Sequence, residues 1–464
     1  MANTATQSQV PAAPKNPRLK KPLIMQKFGG TSVGDAERIK RVARIIADTA
    51  EQGYHVAVVV SAMGHSTDHL VDLANQLTEN PSGREYDALL ATGEMVTTAL
   101  MAMALNSMGY PAIGLSGPQA GIHTEDLYNR ARILEIKTEH IINQLNGGKI
   151  VIISGFQGQN SLGETTTLGR GGSDTSAVAL AGALGAERCD IYTDVRGVYS
   201  TDPRVVPEAV KLDQISYIEM MELARVGAQV LHPRAVELAK RGNVTLSKRS
   251  TFHLEDPGTM IVDHSFLERV NPVTGVASDK SQARLAIVGV PDKPGVAADI
   301  FGNLADANIS VDMIIQSLGS EHSGTTNDIA FTIPSTDLAD GKRILEDVKN
   351  KVGAAAVLVD DDIAKVSIVG AGMIDRPGIA ADFFQALSTA GINIKMIATS
   401  EIKISCLVEK SAADSAVRAI HKAFFPDAKL PAESAIPEEA EEQSLVKEAL
   451  IDEFGELVDE KVGY

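Results

Sequence analysis

The sequence predicts an α/β protein: a mostly parallel β-sheet sandwiched by helices, followed by two small α+β modules of βαββαβ pattern. Three observations carry this. From Leu23 to Asp263 short β-rich runs alternate with stretches of helical periodicity, the order that builds a parallel sheet covered by helices. Glycine and proline concentrate at the strand-to-helix junctions, the edge at which such sheets bind ligands. Beyond Asp263 a block of sequence returns at a fixed offset of 83 residues.

Residues 1–22 read as a flexible leader of Pro, Ala and Lys, without the apolar stretch of a secretory signal. The α/β domain is expected over 23–263. Strands are predicted at Leu23–Phe28, Val56–Val60, Ala112–Leu115, Ile150–Ser154, Asp190–Thr193 and Val244–Leu246. Helices are predicted at Asp35–Ala50, Asp87–Met108 and Asp174–Leu184, several opening at an Asp or Ser cap. The repeat then pairs Asp292-Lys293-Pro294-Gly295-Val296-Ala297-Ala298-Asp299 with Asp375-Arg376-Pro377-Gly378-Ile379-Ala380-Ala381-Asp382. Its register persists through Leu304/Leu387, Ile309/Ile392 and Met313/Met396. Two modules follow, over 284–360 and 364–426, each with a turn, a helix and returning strands. Residues 427–464 form an acidic tail, within which Leu445, Val446, Ala449, Leu450 and Phe454 recur at the spacing of a terminal helix.

Composition narrows the function. Of the 464 residues 44% are apolar, enough for real cores. The net charge is −17, of which −9 lies between Asp427 and Tyr464. An acidic body with 4% aromatic residues and no Trp offers nucleic acid neither a basic stripe nor a stacking surface. Apolar runs such as His55–Val60 fall short of a membrane span. Cys189 and Cys406, the two cysteines, lack both metal-ligand spacing and a disulfide framework, so a reducing cytoplasm is expected and no metal site is.

Two loops carry the chemistry. Lys27-Phe28-Gly29-Gly30-Thr31-Ser32-Val33 leaves a strand and opens a helix. Its glycines let backbone amides approach a polyanion, and Lys27 adds a point charge. No Walker A pattern occurs anywhere in the chain. The second loop, Thr165-Thr166-Thr167-Leu168-Gly169-Arg170-Gly171-Gly172-Ser173-Asp174, precedes an apolar helix. An arginine between glycines can hold a carboxylate or phosphate against backbone amides.

Together with Ser61-Ala62-Met63-Gly64 and the stretch Thr193-Asp194-Val195-Arg196-Gly197-Val198-Tyr199-Ser200-Thr201-Asp202-Pro203-Arg204, these loops resemble the amino-acid kinase family. More narrowly, over residues 24 to 426, the chain is similar to aspartate kinases with two ACT regulatory modules. The resemblance implies transfer of the ATP γ-phosphoryl group, with Mg2+ carried by the nucleotide, to the side-chain carboxylate of L-aspartate. The product, 4-phospho-L-aspartate, opens lysine, threonine and methionine biosynthesis. A carboxylate nucleophile is already ionised, so positioning and charge stabilisation suffice without a general base.

By resemblance, Lys27, Arg170 and Asp174 are catalytic. Phosphates and adenosine fall to Lys27, Phe28, Gly29, Gly30, Thr31, Thr193, Asp194, Tyr199, Ser200, Thr201, Asp202, Pro203, Arg204 and Gln229. Aspartate falls to Ser61, Thr67, Glu94, Arg170, Gly171, Gly172 and Ser173. Gln229 stands where the family pattern has lysine, with Lys248 and Arg249 the nearby cations that could compensate. The ACT modules imply paired modules with amino-acid effectors, lysine and/or threonine, at Asp292, Ala297, Asp312, Gln316, Asn393 and Ile394. They also imply a homo-oligomer, with or without a shorter regulatory subunit. At the position of Asp312 the second copy has Lys395, so the two copies are expected to be unequal sites. The competing readings are a kinase for another small acid and a catalytically silent amino-acid sensor.

Overall fold

The computed structural model describes residues 16–79, 81–228, 230–263, 271–318, 326–374 and 376–429; the tail from residue 430 on, with its expected terminal helix, and Gln229 lie outside them. The α/β domain begins with β1 (Leu23–Phe28), α1 (Ala36–Glu51) and β2 (His55–Val60). It continues through α2 (Ser66–Asn75), α3 (Arg84–Leu90), α4 (Thr92–Ser107) and β3 (Ala112–Leu115). Next come β4 (Ile122–Thr124), β5 (Ile133–Ile136), α5 (Glu139–Asn146), β6 (Ile150–Ser154), β7 (Gln157–Gln159) and β8 (Thr165–Thr167). The domain closes with α6 (Gly172–Leu184), β9 (Arg188–Thr193), β10 (Val198–Tyr199), β11 (Lys211–Leu212), β12 (Gln214–Ser216), α7 (Tyr217–Arg225), α8 (Pro233–Gly242), β13 (Leu246–Ser250) and β14 (Thr259–Val262).

Eight of these strands form one sheet in the order β12-β14-β13-β9-β1-β2-β6-β3. All its pairings are parallel except β13 with β14. β1 lies between β2 and β9, so the chain leaves it to opposite sides, which opens a crevice at the carboxyl ends of β1, β2 and β9. β1, β2 and β6 are buried along their whole length, as strands covered by helices on both faces must be. On one face Ala177, Val178 and Ala181 of α6 pack with Ile191 and Leu246. On the other, Ile39, Val42 and Ile46 of α1 and Met101 and Leu105 of α4 pack with Val58 and Ile152.

Most expected elements appear close to their expected bounds. The helix expected over Asp87–Met108 is broken at Ala91 into α3 and α4. Together α3 and α4, Arg84–Ser107, are long and apolar enough to pass as a membrane span, with half of the most apolar window buried inside the protein. The strand expected at Val244–Leu246 starts at Leu246 instead. Asn243 turns left-handed at φ 47°, and the Val244 amide donates to Ala239 O to close α8, so Val244 is spent on the helix end.

The modules comprise β15 (Gly275–Asp279), β16 (Gln282–Pro291), α9 (Val296–Asp306), β17 (Asp312–Leu318), β18 (Thr326–Pro334), α10 (Leu338–Val352) and β19 (Ala356–Asp360). After them come β20 (Ile363–Val369), α11 (Ile379–Thr389), β21 (Met396–Ser400), β22 (Lys403–Glu409) and α12 (Ala413–Phe424). The first module is contiguous, with sheet order β17-β18-β16-β19. The second is not. Its sheet runs β15-β20-β22-β21, so its edge strand precedes the first module in the chain and the bounds 364–426 omit it. β15 pairs antiparallel with β20 from Gly275↔Val369 to Asp279↔Lys365. Each sheet carries its helices on one face. The opposite faces meet through Met313, Ile363, Met396 and Leu407.

Candidate active site

Lys27 lies near the end of β1, 7% exposed, and its Nζ stands 2.7 Å from Asp174 Oδ1 in the first turn of α6. The contact is an ion pair without hydrogen-bond alignment, since that oxygen has no aligned donor. It pins the second loop to the first across the crevice. Gly29 follows, its amide donating to Tyr192 O; a Cβ there would sit 3.6 Å from Lys27 Nζ. At Gly30 a Cβ would meet Ala62 O at 2.9 Å, and Gly64 N donates to Gly30 O. The two glycine turns after β1 and β2 therefore interlock, and only a missing side chain permits it. Thr31 O accepts from Arg38 Nη1 at 2.7 Å. Phe28 is different: its ring is fully buried and stacked on Tyr192 at 4.7 Å. Its side chain is core, on the face away from Lys27, and only its backbone is left for a ligand.

Glu94 sits in the first turn of α4, 4% exposed. Its Oε1 accepts from the Ala62 amide at 3.2 Å, and its Oε2 is buried without a partner. Burial pushes its pKa up to about 7, opposed by hydrogen bonds from the Glu94 and Ala62 amides and by the charge of Lys27. An enclosed carboxylate oxygen with no donor is a place for a cation. Ser61 closes β2 with its amide on Phe28 O at 3.1 Å, and half-buried Thr67 stands in the first turn of α2.

Arg170 is exposed and makes no ion pair or hydrogen bond among the described residues, so its guanidinium is free to clamp an anion. Gly171 caps α6 in the left-handed region at φ 69°, and a Cβ there would strike His232 at 2.3 Å. Gly172 is buried against Phe156, and Ser173 packs against Gly155. The loop is held from outside. Arg234 donates to Leu168 O and Ala131 O, both at 2.9 Å. Buried Asp87 accepts from the Thr167 amide at 2.7 Å and the Thr167 hydroxyl at 2.9 Å. His232, Arg234 and Asp87 were invisible as site residues in the sequence. The Leu231-His232-Pro233 run signals only a helix start, and contact with the loop arises across more than 60 residues of chain.

The segment after β9 lines a cleft of about 740 Å³ together with Lys248 and with Lys410, Asp414 and Val417 of the second module. Thr193, Asp194, Tyr199, Thr201, Asp202, Pro203 and Arg204 all contribute to its wall. Asp202 and Arg204 pair with each other at 2.7 Å. Ser200 departs from expectation: it is fully buried, takes the Val210 amide at 2.8 Å and lies 2.9 Å from His421 Nε2 on α12. Its hydroxyl joins the domains rather than facing the cleft.

In the modules, Asp312 Oδ2 pairs with Lys365 Nζ of the second module at 3.0 Å. Lys395, its counterpart, pairs with Asp360 at 3.0 Å. The copies therefore differ in their charge contacts as well as in sequence. Asp292, Ala297, Gln316 and Asn393 are exposed, and Ile394 is half-buried.

The chain matches known proteins along nearly its whole described length. The amino acid kinase family profile covers residues 22–247 and ACT domain profiles cover 284–353 and 366–424. An aspartokinase of Bacillus sp. (strain MGA3) is 53% identical over 402 residues, 87% of this chain and 97% of the relative. One from Thermus thermophilus is 49% identical over 405 residues, covering 87% and 99%. Among solved structures, E. coli aspartokinase III with aspartate and ADP (R-state) superposes with TM-score 0.74 at 29% identity over 87% of this chain and 100% of that one. The same enzyme with lysine and aspartate (T-state) gives 0.67 at 29%, over 87% and 99%.

Proposed function

From the premise that this chain belongs to the aspartokinase family, and so phosphorylates L-aspartate from ATP, we propose how its own residues carry the reaction. One side-chain carboxylate oxygen of aspartate attacks the γ-phosphorus of ATP, and the bond to the bridging oxygen of ADP breaks. The products are 4-phospho-L-aspartate and ADP, with no proton to move. The task left to the protein is to hold two anions against each other and neutralise the charge in flight.

The observation that carries the assignment of roles is the buried, unpartnered Oε2 of Glu94 beside the Lys27–Asp174 pair. The substrate α-ammonium supplies the cation that Glu94 lacks. Arg170 takes a substrate carboxylate with Ser173 and the Gly171 and Gly172 amides at the same helix start. Lys27 contacts the transferring phosphoryl, and Asp174 positions Lys27 rather than acting as a base. The glycine turn at Gly29–Thr31 receives the phosphates, and the wall from Thr193 to Arg204 receives the rest of the nucleotide. Magnesium enters with ATP. Such an ion is held mainly by phosphates and water with one or two carboxylates. Asp174 and Asp194 are the carboxylates that would hold the ion, which would offset phosphate charge. Lysine or threonine acts at the modules, with Asp312 as the acid that receives its ammonium.

A coupled assay of ADP release with L-aspartate, L-glutamate and N-acetylglutamate tests the reading; faster turnover of glutamate overturns it. Lys27→Ala should lower kcat by about 100-fold or more while leaving effector binding to the modules intact. Near-normal turnover removes Lys27 from the chemistry.

A further inference from the structure

Lys248 is the second phosphate-binding lysine of this site: we infer that its ammonium, rising from β13, engages the nucleotide polyphosphate alongside Lys27. The inference rests on the reading that the cleft takes ATP and deepens it.

Sheet register places it. Lys27 on β1 and Lys248 on β13 both pair with Ile191 of β9. The three residues thus form one row, and residues aligned across parallel strands point to the same face. The next row is Phe28, Tyr192 and Arg249, which points to the opposite face. There Phe28 stacks on Tyr192 and the Arg249 guanidinium lies 5.6 Å from the Tyr192 ring centre. Of the two cations adjacent in sequence, register sends Lys248 to the α6 face that carries Asp174, and Arg249 away from it. Two strand spacings put the backbones of Lys27 and Lys248 about 10 Å apart, a span matched to a polyphosphate gripped at two points.

Burial and charge then ask for an anion. Lys248 is 1% exposed, yet among the described residues no carboxylate lies within ion-pair distance. Among the described residues its ammonium makes one hydrogen bond, from Nζ to Thr193 Oγ1, 2.5 Å away. An ammonium enclosed this way is costly unless a counter-charge arrives. The groups that face it are Asp174 on α6, Lys27 on β1 and Asp194 after β9. Both carboxylates lie beyond ion-pair distance, so the ammonium has no close counter-ion before phosphate enters. Desolvation first, and repulsion from Lys27, bring its pKa down to about 7, against attraction from Asp174 and Asp194. Lys248 also forms part of the wall of the cleft with Thr193, Asp194 and Tyr199. A purely structural donor to Thr193 would need no charge; a lysine poised between its two protonation states has one ready when phosphate arrives.

The test is nucleotide affinity, read by calorimetry with MgADP and by steady-state kinetics with MgATP, for wild type, K248M and K248R. K248M should raise the ADP Kd and the ATP KM by about tenfold, the worth of a charge-assisted bond, with the aspartate KM within twofold. K248R should recover part of that loss. As pH rises from 6.5 to 8.5 the wild-type amine loses its proton when empty and must regain it on binding. Wild-type affinity should therefore fall relative to K248M, which shares the titration of the nucleotide itself. Should K248M fail to fold, wild-type ADP binding at pH 8 in two buffers of different ionisation heat still reads proton uptake. Unchanged nucleotide affinity in a folded K248M, or no proton uptake by wild type at pH 8, overturns the inference. If wild type itself fails to phosphorylate aspartate, the parent reading falls instead.

Discussion

Glu94 and Lys248 titrate near the same pH for mirrored reasons. Each is a charge denied water, with Lys27 favouring ionised Glu94 and disfavouring ionised Lys248. Glu94 is ionised above about 7, so at saturating ATP the aspartate KM should rise as pH drops through that value and level off above it. Glu94→Gln should raise the aspartate KM about tenfold or more and flatten that profile; an unchanged KM or profile shows that the ammonium binds elsewhere. At this scale the motif lysine, arginine and aspartate were legible because glycines flag them. Lys248 was legible only as one of two candidates: the sequence offers it beside Arg249, and strand register decides which of the two shares a face with Lys27.

The loop from Leu168 into α6 is the element on which the site turns. A left-handed cap, the Gly171–His232 contact and the two carbonyls held by Arg234 determine where Arg170 and Asp174 point. Gly171→Ala adds both an unfavourable φ and a clash with His232, so a loss of about 1–3 kcal/mol of stability and at least a tenfold drop in kcat are expected. Thermal unfolding and turnover measure these. Adding His232→Gly, which removes the Cβ as well as the ring from the contact, should recover part of the stability and of the rate but not all, because the backbone strain at φ 69° remains; full rescue of both shows that only the clash mattered. The sequence located this turn through its glycines. It could not show that the α8 start lies against it.

At the scale of the molecule, the nucleotide wall is bonded to the regulatory part. Ser200 meets His421 of α12. Glu219 of α7 accepts from the Thr274 hydroxyl at 2.5 Å and from the Ala371 amide at 3.0 Å. A shift of the second module relative to α7 therefore reaches the segment that lines the cleft, a physical path for effector control. On the effector reading proposed above, the path begins at Asp312, whose carboxylate pairs with the Lys365 ammonium. An effector amino group competes for the same carboxylate, so Asp312→Ala should raise the lysine or threonine concentration for half-inhibition about tenfold. Inhibition titrations with each amino acid and their mixture measure this, and unchanged curves move the effector site elsewhere.

Periodicity, caps, the repeat and the glycine motifs by themselves determined the parallel sheet, the two modules and the catalytic loops. Each of those signals is local, written within one element or one turn. Tertiary structure alone decided that β15 completes a sheet begun more than eighty residues later, that Phe28 and Ser200 are interior, and that Lys248 shares a face with Lys27. Strand partnership and burial depend on packing between segments far apart in the chain, where no local pattern reaches.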